Sequence, residues 1–357
     1  MYIQLSKMYV DDRIRQAVLQ VLDSGRYING ENLRALEEEF ANFCGAKYAI
    51  GVSSGTSAIL LSLMALGIGS GDEVIVPGHT FIATASPAKF LGAKVVYADI
   101  DPESYTIDPA QVERKITKRT KAIIPVHLYG HPYDADAIND LAKRHKLHVI
   151  EDSCQAHGAT YKGRRTGTLG DIACFSFFPS KNMTVLGDGG IVTTNDEALA
   201  RKVRMLRDHG RRQKYVHEML GLNCRLSEIH CAIGREQLRH LPEWNKRRRQ
   251  IAALYNDLLT NSDVAVPVEK EWAEHVYYMY VIRVRQRDKL AEHLKQKGIE
   301  TGIHYPIPVH KQPCMAANSY LPITEQYVSE ILSLPMHPQL SENEVRFVCQ
   351  EIKEFGK

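Results

Sequence analysis

Residues 175–190 have the sequence Phe-Ser-Phe-Phe-Pro-Ser-Lys-Asn-Met-Thr-Val-Leu-Gly-Asp-Gly-Gly, and a second β-like run, Ile191-Val-Thr-Thr194, follows. This pattern predicts that Lys181 lies just past the end of a strand, beside a glycine-rich turn. A lysine held between a packed strand and a tight turn can be desolvated and aimed, as a Schiff-base amine requires. A loop lysine on the surface is the alternative, and this stretch alone does not exclude it.

A second stretch upstream favours the chemical interpretation of Lys181. Residues 148–156, His-Val-Ile-Glu-Asp-Ser-Cys-Gln-Ala, are a short apolar run that ends in an acidic pair. Open α/β sheets place their ligands at the carboxyl ends of strands. We therefore expect Asp152 and Lys181 to belong to one site.

The region between these stretches and the N-terminus alternates strand-like and helix-like patterns. About seven short strands are predicted, among them residues 122–126, and helices are predicted between them, for example over 108–118. Such alternation is typical of an α/β fold with a mainly parallel sheet flanked by helices on both faces.

From Ala198 onward the chain changes to long, charged helical patterns. Residues 226–258 predict one or two helices interrupted near Pro242, because proline lacks the N–H that a helix interior needs. We therefore divide the chain into a large domain, residues 1–242, and a smaller C-terminal α+β domain, residues 243–357.

The composition limits the kinds of binding partner and the cellular compartment that we expect for the protein. The formal net charge of +3 is too small to indicate nucleic acid or a membrane surface as a partner. The longest apolar run, residues 58–68, is too short to span a bilayer. The seven cysteines are odd in number and none are spaced as Cys-x-x-Cys, which predicts a reduced cytoplasmic protein with neither a disulfide framework nor a structural zinc site.

Polar residues at the predicted strand ends describe one cofactor pocket. The small-residue loop 53–57 precedes an apolar helix, and a helix N-terminus can bind a phosphate, although plain N-capping by Thr56 or Ser57 would also explain the loop. Together the residues suit a planar cation that carries an aldehyde and a phosphate, which is pyridoxal phosphate. Lys181 would form the imine, Asp152 would pair with the pyridine nitrogen, and the others would hold the ring and phosphate: Ser54, Gly55, Thr56, Ser57, Phe81, Gln155 and Ser176.

Seven motifs in order along the chain then point to a family. They are residues 51–58 (GVSSGTSA), 71–77 (GDEVIVP), 80–84 (TFIAT), 125–130 (PVHLYG), 151–157 (EDSCQAH), 175–177 with Lys181-Asn182, and 221–228 (GLNCRLSE). The chain resembles the DegT/DnrJ/EryC1/StrS sugar aminotransferases, within the fold type I superfamily of pyridoxal-phosphate enzymes. The resemblance covers nearly the whole chain.

The resemblance implies a role for each matching residue. Lys181 would be the imine-forming lysine and proton shuttle, Asp152 would contact the pyridine nitrogen and Gln155 the ring hydroxyl. The remaining implied cofactor contacts are Thr56, Ser57 and Ser176 on the phosphate, Phe81 stacked on the ring, and Asn223 reaching the phosphate of the neighbouring subunit. The site would therefore require a homodimer. His304 and Tyr305 match a substrate-side segment, although a structural role for His304 is an equal alternative, and a metal site there is disfavoured because no third ligand lies at a usual spacing.

The resemblance also implies the reaction. An amino donor, expected to be glutamate, would give its amino group to a keto sugar linked to a nucleotide. The form Leu-Gly-Asp-Gly-Gly over 186–190 resembles members that aminate 3-keto rather than 4-keto sugars. Two alternatives remain: a dehydratase of the same family, disfavoured because related dehydratases replace the lysine with histidine, and a non-catalytic regulator, disfavoured by the intact site residues.

Overall fold

The computed structural model describes residues 2–315 and 317–355. In these residues we label the helices α1–α11 and the strands of four or more residues β1–β9. The helices are Asp12–Ser24, Glu31–Cys44, Gly55–Ala65, Ser86–Phe90, Pro109–Glu113, Ala135–His145, Glu197–Leu206, Glu228–Leu259, Arg287–Gln296, Pro322–Tyr327 and Glu342–Phe355. The strands are Tyr48–Val52, Glu73–Pro77, Lys94–Ala98, Thr120–Ile123, His148–Asp152, Ile172–Ser176, Gly190–Thr194, Tyr280–Arg283 and Ile331–Leu334.

A seven-stranded sheet forms the centre of the larger part of the chain. Its strand order is β1-β7-β6-β5-β4-β2-β3, and β7 is antiparallel to both of its neighbours while every other pair is parallel. Strand β2 is buried along its whole length, as expected for a parallel strand covered by helices on both faces. This architecture confirms the predicted α/β fold with a mainly parallel seven-stranded sheet.

The register of this sheet brings the two key stretches together. Strands β5 and β6 are parallel neighbours, and Asp152 at the end of β5 pairs with Cys174. Ser176, two residues further along β6, therefore leaves the sheet at the same edge as Asp152. The chain then turns through residues 177–189 and returns as β7, with Gly190 opposite Ser176.

The predicted break at Pro242 is wrong. Helix α8 continues from Glu228 to Leu259 with Pro242 inside it. Pro242 is on the exposed side of the helix, and α8 is anchored in hydrophobic clusters on both sides of that residue: Leu241 on one side and Ile251 on the other are buried. Tertiary packing therefore offsets the cost of the missing N–H.

Two further elements are shorter than predicted. The helix expected over 108–118 is only Pro109–Glu113, and the strand expected over 122–126 is Thr120–Ile123. Pro125 ends the second, because proline cannot donate to a strand ladder.

The C-terminal part has its own apolar core. Strands β8 and β9 form an antiparallel pair, and Tyr280 and Leu332 on that pair pack with Tyr255 of α8 and Val348 of α11. The division at residue 242 stays a prediction, since α8 contributes side chains to clusters on both sides of it.

Short two- and three-residue ladders complete the strands. Thr160–Tyr161 pairs with Arg164–Arg165 and with Ala273–Glu274, and Arg211–Gln213 pairs with Val216–His217. All seven cysteines are unpaired. Among residues 2–315 and 317–355, every helix is too short or too polar to serve as a membrane span.

Glu228 ties the first turn of α8 to the start of α2. Its carboxylate is buried and accepts hydrogen bonds from the backbone N–H groups of Gly30 (2.8 Å), Asn32 (2.8 Å) and Leu33 (3.1 Å). These are N–H groups that the start of a helix leaves without an intrahelical partner. A side chain at Gly30 would collide with the Glu228 carboxyl, since its Cβ would lie 2.6 Å from Cδ.

Glu228→Ala should lower the free energy of unfolding by about 3 kcal/mol, because it leaves three backbone N–H donors in or near the core without an acceptor. Urea unfolding followed by circular dichroism measures the change. Glu243→Ala, an exposed position on the same helix, is the control and should have little effect. Equal midpoints for the two variants would show that Glu228 does not hold α2 in place.

Candidate active site

A cavity of about 420 Å³ opens at the carboxyl edge of the sheet. It is bounded by the N-terminus of α3, the ends of β5 and β6, the loop after β2, and a segment from the C-terminal part. Nearly all the predicted site residues line it: Gly55, Thr56, Phe81, Asp152, Gln155, Ser176, Lys181, His304 and Tyr305. Residues separated by up to 250 positions in the sequence thus meet at one sheet edge, as the strand-end argument predicts.

The N-terminus of α3 forms a narrow cradle. Ser54 caps the helix by accepting a hydrogen bond from the Ser57 N–H at 3.0 Å. A Cβ on Gly55 would lie 2.8 Å from the Ser176 Cβ and 2.9 Å from the Cys154 sulfur, so only glycine lets the helix start approach β6 this closely. The free N–H groups of the helix start and the hydroxyl of Ser176 are suited to bind a phosphate.

The Ser57 hydroxyl lies against two neighbouring serines. Its hydroxyl lies 2.8 Å from the Ser53 hydroxyl and 2.9 Å from that of Ser54, and the cavity lining does not include it. The helix is therefore N-capped, but by Ser54 and not by Thr56 or Ser57, the residues that the alternative named. A phosphate contact from Ser57 stays a prediction.

Asp152 is a buried carboxylate at the floor of the cavity. Its Oδ2 accepts a hydrogen bond from the Thr84 hydroxyl at 2.6 Å, and its Oδ1 accepts one from the Cys154 N–H at 3.2 Å. The Thr84 hydroxyl also lies 2.8 Å from that of Thr80. Within the described residues no cationic side chain pairs with Asp152. A buried carboxylate without a counter-charge fits a cationic ligand group, such as a protonated pyridine nitrogen.

Lys181 lies in the loop between β6 and β7 and reaches the same cavity. Its ammonium group lies 4.3 Å from the centre of the Tyr278 ring, a cation–π distance. The Tyr278 hydroxyl lies 3.0 Å from that of Ser180, the residue before Lys181. The Tyr278 ring and the loop that carries Lys181 therefore fix each other's position. The aromatic face orients the Lys181 amine and leaves it available to react.

Aromatic and amide groups shape the rest of the cavity. The Phe81 ring is 51% exposed, and its centre lies 5.5 Å from that of Tyr305. Gln155 is buried, accepts a hydrogen bond from the Tyr129 N–H at 2.7 Å and donates one to the Tyr305 hydroxyl at 3.3 Å. The exposed Phe81 face is suited to stack on a flat ligand.

His304 is held as a neutral imidazole. Its Nδ1 lies 2.9 Å from the Ser333 hydroxyl. Burial, with the nearby positive charge of Lys181 acting in the same direction, lowers the pKa of His304 to about 4. The imidazole is therefore uncharged at neutral pH.

Asn223 does not reach the cavity of its own chain. It is exposed and forms a bridge with Asp208, and the cavity lining does not include it. This position is compatible with the predicted contact to a neighbouring subunit, which stays a prediction.

Several residues that line the cavity were given no role from the sequence, among them Thr84, Asp188 and Tyr278. Thr84 ends the motif TFIAT, four residues after Thr80, and that spacing could have indicated a second hydroxyl on one face of a helical turn. Asp188 and Tyr278 also line the cavity. Nothing local identifies Tyr278, because its role comes from contact with a loop nearly a hundred residues upstream. The described part of the chain holds no group of three or more His, Cys, Asp or Glu side chains arranged to bind a metal ion.

Comparison with known sequences identifies the family that this site represents. The profile of the DegT/DnrJ/EryC1/StrS aminotransferase family matches residues 8–353. The chain belongs to this family.

The relatives of this family member include enzymes and one protein named as a regulator. This chain is 45% identical over 346 residues to dTDP-3-amino-3,4,6-trideoxy-alpha-D-glucose transaminase of Streptomyces venezuelae, and the match covers 96% of this chain and 91% of that protein. It is also 45% identical over 364 residues to the pleiotropic regulatory protein of Geobacillus stearothermophilus, covering 99% of this chain and 97% of that protein.

Solved structures agree with both the fold and the cofactor. S. venezuelae DesV in complex with a ketimine intermediate superposes with a TM-score of 0.94 at 45% identity, covering 96% of this chain and 94% of that one. Spr1654 of Streptococcus pneumoniae in its PLP form gives a TM-score of 0.95 at 25% identity, covering 100% of this chain and 99% of that one. The chain is a family aminotransferase whose cofactor is pyridoxal phosphate, and the unpaired Asp152 and the glycine cradle of α3 fit that group.

His157 lies behind the site, and its burial allows the electrostatics of this region to be tested. It is completely buried, its ring packs at 5.4 Å from Phe175, and neither ring nitrogen has a hydrogen-bond partner in the described residues. Burial, aided by the charge of Lys181, lowers the pKa of His157 to about 3. The unfolded chain therefore binds a proton below about pH 6.5 that the folded chain does not.

The free energy of unfolding should consequently fall as the pH drops from 6 to 4, and His157→Leu should make that slope shallower by about 1.4 kcal/mol per pH unit. Urea titrations at several pH values measure it. Comparing both proteins at pH 8, where this imidazole is neutral in folded and unfolded chains alike, removes the effect of altered packing. Parallel curves between pH 6 and 4 would contradict the assignment.

Proposed function

We propose that the protein transfers an amino group from L-glutamate to a nucleotide-linked 3-keto deoxysugar, in the biosynthesis of amino sugars. The observation that carries the proposal is the placement of Lys181 and the unpaired Asp152 in one cavity. The position of the new amino group rests on the name of the Streptomyces venezuelae relative, a 3-amino sugar transaminase. The sequence Leu-Gly-Asp-Gly-Gly at 186–190 supports the same choice.

The residues of the cavity have distinct tasks in this reaction. Pyridoxal phosphate, when bound, supplies a carbonyl that condenses with amines and a ring that accepts an electron pair. Asp152, fixed by Thr84, keeps a positive charge on the ring side of the cavity. Lys181 would carry the proton from the α-carbon of the donor to C4′ of the cofactor, and the same transfer in reverse would deliver the amino group to the sugar.

The substrate side of the cavity consists of His304 and Tyr305. Neutral His304 holds the Ser333 hydroxyl through Nδ1, which leaves Nε2 for a sugar hydroxyl. Burial raises the pKa of Tyr305 well above its usual range, with Tyr278 and Asp152 acting in the same direction, so the phenol keeps its proton at neutral pH. Both groups suit a polyhydroxylated ligand better than a carboxylate, since neither is charged.

Two alternatives are disfavoured by single observations. A dehydratase of the same family is opposed by Lys181 itself, because the lysine stands where related dehydratases have histidine. The regulatory name of one relative keeps open a function in regulation. A protein that only regulates would have no need of a lysine and an unpaired carboxylate in the same cavity.

The homodimer with shared sites belongs to the same proposal. Exposed apolar side chains lie in the segment that leads to Asn223 and in the loop that bridges to Ser227 at the start of α8: Tyr215 is 83% exposed, Leu220 93% and Leu222 39%, and Tyr27 and Ile28 are about half exposed. Apolar side chains in such number on one surface are typical of an interface. A second copy of the chain seated there would cover them and carry Asn223 towards the other cavity.

The seven unpaired cysteines support a reducing compartment, the cytoplasm.

Adding L-glutamate to the purified protein loaded with pyridoxal phosphate should bleach the visible band of the lysine-linked cofactor, and a 3-keto nucleotide sugar should restore it. Stopped-flow absorbance measures both half-reactions. Lys181→Ala should abolish the band and turnover, whereas Lys162→Ala, an exposed lysine paired with Asp136, should match the wild type. Restoration by 4-keto but not 3-keto sugars would reject the proposed position, and no response to any amino acid would reject the aminotransferase.

For the dimer, subunits carrying Lys181→Ala and subunits carrying Asn223→Ala should regain activity when unfolded together and refolded as a mixture. If each cavity uses Asn223 of the other copy, one cavity in the mixed dimer has both residues intact. About a quarter of the wild-type rate is expected for random pairing, since half of the dimers are mixed and each has one intact cavity. Recovery no greater than the sum of the two separate variants would speak against shared sites.

A further inference from the structure

Tyr129 connects three elements that meet at the substrate side of the cavity. It follows β4, is buried, and has a left-handed backbone with φ of 59°. Its hydroxyl contacts the backbone carbonyl of His304 and lies 2.7 Å from Nε2 of His79. Its backbone N–H donates to Gln155 at 2.7 Å. The family motif 125–130 includes this tyrosine, but the catalytic residues discussed above do not explain it.

The direction of each hydrogen bond follows from the groups involved. A carbonyl only accepts, so the Tyr129 hydroxyl donates to His304 and must accept from His79. His79 therefore carries its proton on Nε2. Its Nδ1 is buried without a partner in the described residues, and burial lowers the pKa of His79 to about 4, both of which agree with a neutral ring.

The same reasoning determines which way the side-chain amide of Gln155 is oriented. A backbone N–H only donates, so the atom that faces Tyr129 is the amide oxygen, and the amide nitrogen faces Tyr305. Tyr305 consequently accepts a hydrogen bond from Gln155. No other described residue hydrogen-bonds to the Tyr305 hydroxyl, so its own proton is free to point into the cavity. The second N–H of the amide is available to the cofactor ring.

We propose that Tyr129 is a positioning residue that sets the Tyr305 hydroxyl as a hydrogen-bond donor to the sugar substrate. It acts by two routes: its hydroxyl fixes the backbone of residue 304, and its backbone N–H fixes the amide that orients the phenol. The inference rests on the proposed function, because it assigns the sugar to the side of the cavity formed by residues 304 and 305.

A double comparison separates positioning from a general loss of stability. Tyr129→Phe removes only the hydroxyl. Tyr105→Phe is the matched control, because Tyr105 is a buried tyrosine whose ring lies 5.9 Å from that of Tyr129 but which does not line the cavity. His79→Leu removes the hydrogen bond that His79 donates to the Tyr129 hydroxyl, so that this hydroxyl is held less firmly on the His304 carbonyl. It provides a second variant if Tyr129→Phe fails to fold.

The first measurement needs neither substrate nor turnover. Hydrogen–deuterium exchange with mass spectrometry of the holoenzyme should show faster exchange in peptides covering residues 302–307 for Tyr129→Phe and for His79→Leu. Tyr105→Phe should match the wild type in those peptides. Unchanged exchange in both variants would overturn the proposal, even if the protein proves not to be an aminotransferase.

The second measurement divides the two half-reactions. Tyr129→Phe should leave the glutamate half-reaction within about twofold of wild type and slow the sugar half-reaction about tenfold, as expected for one misaligned hydrogen bond. Tyr305→Phe should slow the same step, and the double variant should be no slower than Tyr305→Phe alone. Multiplying effects, or equal slowing of both half-reactions, would reject Tyr129 as the residue that positions Tyr305. A wild type that is inactive towards glutamate would instead refute the proposed function.

Discussion

The hydrogen bond from the Thr84 hydroxyl to the buried carboxylate of Asp152 is the constraint on which the site depends. A carboxylate removed from water is costly unless it is paired or fully hydrogen-bonded. Here two donors hold it and no cation of the described chain neutralises it. The fold thus holds a carboxylate without a cationic partner at the edge of its sheet, which fits the positively charged ring that the cofactor would bring.

The remaining groups act around that charge. The carboxyl ends of β5 and β6 bring Asp152 and Ser176 to one edge, and the turn after β6 returns Lys181 over the cavity. The C-terminal part then contributes a wall. Asp99 at the end of β3 accepts hydrogen bonds from the backbone of Ile323 and Thr324, which fastens the segment that follows Tyr305 to the sheet. Both parts of the chain are therefore needed to complete the cavity.

Much of this arrangement could be predicted before the structure. The alternating pattern gave the parallel sheet, and the two strand-end stretches gave Lys181 and Asp152, because strand ends on a parallel sheet must share an edge. Predictions failed where packing overrides local preference. Helix α8 runs through Pro242 because clusters on both sides of it hold the helix. The phosphate contact of Ser57 stays a prediction, because its hydroxyl lies against those of Ser53 and Ser54 and no ligand contact tests it.

The sequence by itself determined the elements that depend on local periodicity and on chemically distinctive residues: the α/β class, the lysine and the acid. Only the tertiary structure decided which ordinary residues support them. Thr84, Tyr129 and Tyr278 are common residue types, and their roles come from contacts with positions 68 to 175 residues away. Such contacts depend on strand register, on the direction of each hydrogen bond and on burial. None of these is set by neighbours in the chain, because all of them arise only when the sheet and the C-terminal segment pack together.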